Sequence, residues 1–386
     1  MILTKLYKEF FRSEKTGGLI LVFATLVSLV LANSPFSSSY LAFWDIQFHN
    51  HTITHWINDG LMTIFFLLIG LELKREIYEG ELSSIKKSSL PVFAAFGGML
   101  IPASIFLMMN IGTSYASGAG IPMATDIAFA IGILSLLGKR VPASLKIFLT
   151  ALAVIDDLGA IIVIAIFYTK GISILNLAIA FSIYAGLILM NRMKINRIIP
   201  YMIGGIAMWF FMLNSGVHAT ITGVFLAFAI PYATPVNKTK EHSLSAQLQH
   251  VLHVPVAFFI LPLFALANTG IEIKTGWEGD ILQFGSLGII LGLFVGKPLG
   301  ITLFSYLGVK FKLANLPSDL KWSNIVGVGF LGGVGFTMSI FIALLAYTEI
   351  KMTNSAKISI LIGSFISAVV GYFFLSRVLK NKEVEN

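Results

Sequence analysis

Four ionisable residues interrupt segments of the chain that otherwise consist of hydrocarbon. Asp156 and Asp157 are adjacent in the run ALAVIDDLGAIIVIAIF, and Asp126 lies in the apolar run before it. A single lysine, Lys297, interrupts the run GIILGLFVGKPLGITLF. A charged side chain at bilayer depth costs about 3 kcal/mol or more unless it is paired, neutralised or faces water. Three acids and one base in such positions predict a path for protons or cations.

The composition indicates a membrane protein and removes several other classes. Of the 386 residues, 56% are hydrophobic and 12% are charged, whereas a soluble domain carries about 25% charged residues. The absence of cysteine excludes disulfide frameworks, thiolate metal sites and cysteine nucleophiles. The formal net charge of +8 comes from basic residues scattered between apolar runs. This pattern favours membrane topology over a nucleic-acid partner.

Runs of about 20 apolar residues are long enough to cross a bilayer as helices. They occur twelve times, so we predict an all-α polytopic membrane protein with one transmembrane domain over residues 1–386, embedded in a lipid bilayer. The first run follows several basic residues and is also typical of a signal peptide, but eleven further runs favour a retained helix. The predicted spans are 17–32, 56–79, 89–109, 117–138, 144–169, 174–191, 197–213, 215–232, 250–270, 281–307, 322–348 and 355–379.

The basic residues are distributed unevenly between the two sides of the predicted bundle. With twelve spans, 22 of the 27 Lys and Arg residues lie on one side, and Lys297 lies within a span. The side rich in basic residues is the cytoplasmic one, so both chain termini are predicted to be cytoplasmic. The basic residues of the opposite, outer side are Lys170, Lys274, Lys351 and Lys357.

Two of the predicted spans contain helix-breaking residues at mid-membrane. Span four, GAGIPMATDIAFAIGIL, contains Pro122 and the polar pair Thr125 and Asp126, and span eleven, NIVGVGFLGGVGFTMSIF, is crowded with glycine. Interrupted spans at matching places of two halves indicate a transporter built from inverted repeats. Close glycine packing between helices explains span eleven alone equally well. In span four the buried acid favours a break.

Thr125 and Asp126 suit the ends of broken helices. Half-helices that meet at mid-membrane present partial charges of about half a unit. Asp126 would compensate facing positive N-termini, and Lys297 would compensate facing negative C-termini. Both Thr and Asp are also good N-terminal caps, and the two interpretations overlap.

Asp156 and Asp157 cannot share one helix face, because adjacent helical residues point about 100° apart. One can face a cavity while the other faces a neighbouring helix. Burial disfavours an ionised carboxylate and a nearby ammonium favours it, so a cluster with Lys297 can exchange protons for a hard cation with oxygen ligands. A static Asp–Lys pair that pins two helices is the structural alternative. The excess of acids over bases favours the functional interpretation.

A second charged group lies at the predicted cytoplasmic end of span two. Glu72, Arg75 and Glu76 occupy positions i, i+3 and i+4 of one helix face. The spacing is typical of a salt-bridged helix end, and it equally fits a charge cluster at an entry funnel. Both interpretations stay open from the residues alone.

The outer loop between spans one and two has the alternation of a small hairpin, at about 44–54. It is either an ordered loop or a dimer contact. The histidines titrate near neutral pH and can be pH sensors or structural residues. Those near span ends are His218, His250 and His253, and those expected to be solvated in the outer loop are His49, His51 and His55.

Several long motifs in the same order resemble the NhaA family of bacterial sodium/proton antiporters. The resemblance runs from the first span to the last. The matching segments are HWINDGLMTIFFLLIGLELKRE, PMATDIAFAIGIL, FLTALAVIDDLGAI, NSGVHATITGV, FFILPLFALANTG, VGKPLG and GVGFTMSIFIALLAY.

The resemblance implies an electrogenic Na⁺(Li⁺)/H⁺ antiporter with twelve helices, in which spans four and eleven unwind and cross at mid-membrane. It further implies that Asp157 is the main cation-binding carboxylate and that Asp156 exchanges between Lys297 and the cation. Asp126 and Thr125 would flank the crossing and balance its helix dipoles. No cofactor is implied, and the protein would not be an enzyme. Family members form homodimers through the outer hairpin and lie in the bacterial cytoplasmic (inner) membrane.

The resemblance also implies a pH-response group on the cytoplasmic side and one histidine elsewhere. The residues that match it are Glu72, Arg75, Glu76, His218, His250 and His253. One position departs from the family, because Gln249 stands where studied members carry a glutamate. An acidic partner for Arg75 is therefore missing, and the pH-activation profile of the family cannot be transferred.

Three other functions are alternatives to antiport. A passive cation channel would conduct sodium without an obligatory movement of protons. An intramembrane aspartyl protease needs two carboxylates that face each other across a shared water, and adjacent Asp156 and Asp157 diverge on one helix. A structural membrane scaffold does not explain the excess of buried acids. We therefore predict exchange by alternating access, with protons and Na⁺ competing for the same aspartates, serving Na⁺ extrusion and pH homeostasis.

Overall fold

The described part of the chain is almost entirely helical. The computed structural model describes residues 14–49, 51–169, 171–232, 243–273 and 277–380. Among these residues the sheet structure is one antiparallel hairpin, in which Gln47–Phe48 (β1) pairs with His51–Thr52 (β2). This hairpin lies within the predicted segment 44–54. Both chain ends, together with Lys170 and Lys274, lie outside the described residues.

Among the described residues, seven helices are long and apolar enough to cross a bilayer. Their lengths follow from runs of leucine, isoleucine, valine and phenylalanine that can be buried on every side, against protein or against lipid. The predicted all-α polytopic membrane fold is confirmed at this level. The helices are α3 (Ile53–Tyr78), α4 (Ile85–Asn110), α6 (Ala143–Phe167), α7 (Ile174–Arg192), α10 (Leu244–Asn268), α12 (Phe284–Lys310) and α15 (Ile350–Lys380).

Two further apolar segments are pairs of short helices with a bend between them. A 3₁₀ helix at Ser114–Met123 meets α5 (Ile127–Leu136) at 43°, and α13 (Trp322–Gly332) meets α14 (Phe336–Ala346) at 47°. The bends fall within predicted spans four and eleven. The breaks touch each other, because the Asp126 backbone N–H donates to the Val334 carbonyl at 2.7 Å. Each irregular segment therefore satisfies polar backbone groups of the other, as non-helical backbone within a membrane requires.

Shorter helices occupy the three remaining predicted spans. By length and apolarity alone, the described residues supply nine spans when each bent pair is counted once, against the twelve predicted. The difference falls on predicted spans one, seven and eight. Their helices are α1 (Glu14–Ala32), α8 (Ile198–Leu213) and α9 (Ile221–Ala229), and two short helices outside the predicted spans are α2 (Ser37–Trp44) and α11 (Trp277–Ile281).

Glycine packing brings α12, the helix that carries Lys297, against α4. Gly300 and Gly97 face each other so closely that a Cβ on either would overlap the backbone carbonyl of the other. The side chain of Lys297 starts one turn before this contact. The same close approach of backbones by small residues is common where helices pack within lipid. The position of the buried lysine is thus set by a contact between two main chains.

Candidate functional site

A buried ion pair joins α6 to α12. Lys297 Nζ lies 2.5 Å from Asp156 Oδ2, and the side chains of both residues are fully enclosed by protein. The Lys297 ammonium also donates to Thr125 Oγ1 at 2.9 Å. Of the two adjacent aspartates, Asp156 is therefore the one that faces the lysine.

Thr125 connects this ion pair to both helix breaks. Its residue lies in the break before α5, and its Oγ1 is 2.7 Å from Asp156 Oδ2 and 2.8 Å from the carbonyl of Gly332, the last residue of α13. A hydroxyl has one proton, so Thr125 donates to one of these acceptors at a time while it accepts from Lys297. The hydroxyl thus links the ion pair to the backbone of the second broken helix.

Asp126 caps two helices with one carboxylate. Oδ1 accepts from the Phe129 backbone N–H at 3.0 Å, as an N-cap of α5. Oδ2 accepts from the backbone N–H of Thr337 at 3.2 Å and from the Thr337 hydroxyl, in the first turn of α14. The acid therefore lies where the positive ends of two half-helices meet.

Asp157 has a buried carboxylate oxygen without a hydrogen-bond partner. The side chain is 1% exposed, and Oδ1 has no hydrogen-bond partner among the described residues. Asp156 Oδ1 is likewise buried, and it has no hydrogen-bond partner among the described residues. Burying a polar oxygen without a hydrogen bond is unfavourable by about 1–3 kcal/mol. A proton or a hard cation held by these oxygens would remove that penalty.

Two carboxylates are the acidic ligands that this cluster offers to a cation. Within the described ranges, no three His, Cys, Asp or Glu side chains converge as a metal-binding group. Asp126 is engaged by the two N-termini and Asp156 Oδ2 by Lys297. The arrangement suits transient occupation by a monovalent cation better than retention of a multivalent one, since tight divalent sites use more oxygen ligands.

A cavity of about 240 Å³ lies at the other end of α3 from the outer hairpin and contains part of the predicted pH-response group. Glu72, Arg75 and His253 line it, together with Gln249 and Thr150. Neither Asp156 nor Asp157 is among its lining residues. Residues flanking the first helix break also line it, Ile127 and Ala128.

The remaining residues of the predicted pH-response group do not join this cavity. Glu76 pairs with Arg75 (Oε1 to Nη2, 3.1 Å) and accepts from the Glu81 backbone N–H at 3.0 Å, beyond the end of α3. His250 is exposed on α10. His218 lies in the loop before α9, where its Nε2 is 3.2 Å from the Tyr168 carbonyl oxygen. The structure thus separates the six predicted residues into different environments.

Two histidines of the predicted outer loop, His51 and His55, are not simply solvated, contrary to the sequence prediction. His55 Nδ1 lies 3.3 Å from Asp59 Oδ2, and the rings of His51 and His55 stack with centroids 4.1 Å apart. The prediction overlooked Asp59 as a partner, although the i, i+4 spacing of His55 and Asp59 is a signal for such a pair. His49 is exposed, as predicted.

Lys74, one of the basic residues counted on the predicted cytoplasmic side, is buried. It is only 3% exposed. Its ammonium donates to the carbonyls of Ala227, Phe228 and Ile230 at 3.3, 3.0 and 2.5 Å, at the C-terminal end of α9. A lysine at that end satisfies carbonyls that the helix leaves free. The asymmetry of the count does not depend on this residue.

Fold and site together define a polytopic α-helical membrane protein with ionisable residues enclosed at the contact of two broken helices. The family model described as "Na+/H+ antiporter 1" matches residues 8–375 of the chain. The chain therefore belongs to the Na⁺/H⁺ antiporter 1 family of transporters, the NhaA family that its motifs resemble.

Individual bacterial relatives match over nearly their whole length. The chain is 62% identical to "Na(+)/H(+) antiporter NhaA 1" of Flavobacterium johnsoniae, over 98% of both chains. It is 60% identical to "Na(+)/H(+) antiporter NhaA" of Flavobacterium psychrophilum, over 100% of both. A solved structure, "the sodium proton antiporter MjNhaP1" of Methanocaldococcus jannaschii, matches with a TM-score of 0.52 and 15% identity, over 98% of this chain and 97% of that one. At that identity the likeness concerns the fold alone.

Proposed function

We propose that this protein exchanges Na⁺ or Li⁺ for protons across the bacterial cytoplasmic membrane. Membership of the Na⁺/H⁺ antiporter 1 family supports the ion specificity. The enclosed excess of acids over bases supports a role for these residues in moving charge. Antiport accounts for both observations.

The observation that carries the assignment of the binding site is that Asp157 and Asp156 each have a buried oxygen without a hydrogen-bond partner among the described residues. The other oxygen of Asp156 is bound to Lys297. In the proposal, Asp157 provides the main oxygen ligand for the cation. Asp156 alternates between its ion pair with Lys297 and the cation. When Asp156 binds the cation, Thr125 stays within reach of the lysine and limits the loss of hydrogen bonds. A proton on the aspartates and a cation between them are then alternative ways to neutralise the same oxygens.

Competition for one set of carboxylates couples the two ion flows. Binding Na⁺ requires the aspartates to release protons, and binding protons displaces Na⁺. If two carboxylates unload for each cation, more than one proton moves per Na⁺ and the exchange is electrogenic. The membrane potential then contributes about 2.3 kcal/mol per net charge per 100 mV, which helps to drive Na⁺ out of the cell.

The two bent helix pairs provide the element that can alternate in the proposal. We place these helix pairs as spans four and eleven of twelve. Each belongs to one of two inverted repeats, and the two broken spans cross at mid-membrane. Asp126 compensates the N-termini of α5 and α14 at the crossing, and Lys297 lies near the C-terminal end of α13 through Thr125. Both termini are cytoplasmic in this topology, as the basic residues indicate.

Regulation and assembly are assigned from the family resemblance and the observed placements. Glu72, Arg75 and His253 would tune access through the cytoplasmic cavity they line, with Glu76 and His250 nearby in sequence and His218 on the outer side. Gln249 lines the same cavity, so its replacement of a family glutamate would alter the pH profile. The hairpin β1–β2 would form the contact of a homodimer.

Replacement of Asp157 by Asn tests the assignment. The change keeps the shape of the side chain and removes the ionisable group, so ΔpH-driven ²²Na⁺ uptake into proteoliposomes should be abolished. Asp319→Asn is the matched control, because Asp319 is an aspartate outside the transmembrane helices that bonds to Ser144, and it should retain exchange. Full exchange by Asp157→Asn would contradict the assignment.

A further inference from the structure

A second cavity, of about 930 Å³, lies at the opposite end of the bundle from Glu72 and Arg75. Thr54, at the start of α3, lines it, and 18 residues of helix, about 27 Å, separate Thr54 from Glu72. On the predicted topology this is the outer face. The volume lies within the range of about 300–1,000 Å³ that small-molecule sites occupy.

Lys357 lines this cavity and has no ion pair or hydrogen bond among the described residues. It lies seven residues into α15, about 10 Å along the helix from Ile350. A partly buried ammonium at this depth is unfavourable without a counter-charge. Its position is not explained by the transport site, which lies on other helices. An anionic ligand in the cavity would supply the missing counter-charge.

The surrounding aromatic residues place the cavity at the level of lipid headgroups. Trp44 and Trp277 line it, and tryptophan is enriched where a membrane meets water. Trp44 is 8% exposed, and its indole N–H has no hydrogen-bond partner in the described ranges. A second lysine, Lys351, lines the same cavity from the first turn of α15. The α15 side of the cavity is therefore basic.

Carboxylates come from the other elements that line the cavity. Asp45 follows α2, and Glu272 follows α10. The Glu272 carboxylate already accepts from Ser37 Oγ at 2.9 Å, which leaves Asp45 as the acid better placed to bind a ligand. A simple anion would match Lys357 and leave Asp45 without a counter-charge. A zwitterion with a phosphate and an amine matches both.

We propose that this outer cavity binds the phosphoethanolamine headgroup of a phospholipid. The phosphate contacts Lys357 and Lys351, and the ammonium contacts Asp45. The headgroup joins the last helix, α15, to the segment that follows α2. Because bound lipid favours the conformation that forms the site, it stabilises the folded protein in proportion to its concentration.

Lipid binding by the full-length protein in detergent tests the proposal. Phosphatidylethanolamine, phosphatidylglycerol and inorganic phosphate are titrated separately, with bound lipid counted by native mass spectrometry and the unfolding temperature followed in parallel. Lys357→Gln should weaken phosphatidylethanolamine binding about tenfold, as expected for one charge-assisted hydrogen bond. Lys357→Arg, which keeps the charge, should restore most of it. Lys139→Gln, at an exposed lysine on the cytoplasmic side, should change nothing.

Asp45→Asn is the second variant and keeps the test informative if Lys357→Gln fails to fold. It should remove the preference for phosphatidylethanolamine over phosphatidylglycerol without abolishing binding of either. The proposal is overturned if Lys357→Gln binds phosphatidylethanolamine as tightly as the parent, or if Gln and Arg at this position bind it equally weakly. It is also overturned if phosphatidylglycerol binds the parent as tightly, or if inorganic phosphate gives the same protection.

Discussion

At the scale of single residues, the centre of the site is a hydrogen-bond network that one hydroxyl holds together. Lys297 reaches Asp156 at 2.5 Å and Thr125 at 2.9 Å, and no part of its side chain is exposed. A buried ion pair adds little net stability, because desolvation of both charges offsets their attraction. Removing one of the bonded side chains lowers the stability of the fold, since the buried group that remains loses its hydrogen bond.

Thr125→Val is predicted to destabilise the protein by about 1–3 kcal/mol, because it removes an acceptor from the buried ammonium of Lys297 and keeps the side-chain shape. The unfolding temperature in detergent measures the effect. Thr302→Val is the matched control, because Thr302 Oγ1 is buried without a hydrogen-bond partner in the described part of the chain. It should cause no loss of stability. Equal effects of the two changes would show that the Thr125 hydroxyl does not support the network.

At the scale of elements, two contacts define the site. The broken helices touch through the Asp126 backbone and the Thr125 hydroxyl, and α12 is held against α4 by facing glycines. Packing without side chains fixes the distance between two helix axes, because neither backbone can approach further and neither can tolerate a methyl group. The lysine on α12 is therefore positioned by main-chain contact.

Gly300→Ala is predicted to destabilise the protein by about 1–3 kcal/mol, because the new methyl group would force α4 and α12 apart. The change should also lower exchange, since Lys297 would move with α12. Gly186→Ala in α7 is the control, because a Cβ there meets nothing within 4 Å. It should be neutral or stabilising by about 0.5–1 kcal/mol. Unfolding temperatures and proteoliposome exchange of both variants measure these effects, and unchanged behaviour of Gly300→Ala would contradict the packing role.

The sequence predicted the helices and the buried charged residues better than it predicted which side chains contact each other. Asp126, Asp156, Asp157 and Lys297 could be singled out because a charge inside an apolar run has a high energetic penalty wherever the run folds. Which of the adjacent aspartates faces the lysine depends on the rotation of α6 in the bundle, and the residues alone left this open. The residues next to Asp156 and Asp157 in the sequence do not determine that rotation.

Other features depended on tertiary contacts that a linear pattern does not contain. Lys74 is adjacent to Arg75 in the sequence, but its ammonium binds the C-terminal end of α9, a helix about 150 residues further along the chain. The helix observed in predicted span eight covers only Ile221–Ala229, because the chain around His218 forms a loop. Apolar composition predicts burial, and it does not predict where each helix starts.

At the scale of the whole molecule, the buried side chains form distinct clusters. One cluster contains residues of α4, α5, α6, α12, α13 and α15. Another contains residues of α3, α7, α8 and α9. A third cluster, larger than either, contains residues of α3 and α9 together with residues of α6, α12, α14 and α15. A movement of one group against the other therefore has to repack this shared cluster, because protein interiors are closely packed. Under the proposed mechanism, such a shift would expose the aspartates first to one side of the membrane and then to the other.

Proton release on addition of Na⁺ tests most directly the claim that one set of carboxylates serves both ions. Purified protein in weakly buffered detergent is titrated with NaCl at several pH values, with choline chloride as the control, and released protons are followed with a pH dye. Raising the pH removes the competing protons, so the apparent Na⁺ affinity should rise about tenfold per pH unit for each competing proton within the titrating range. Asp157→Asn should release none. Sodium binding with no proton release and a pH-independent affinity would contradict the mechanism.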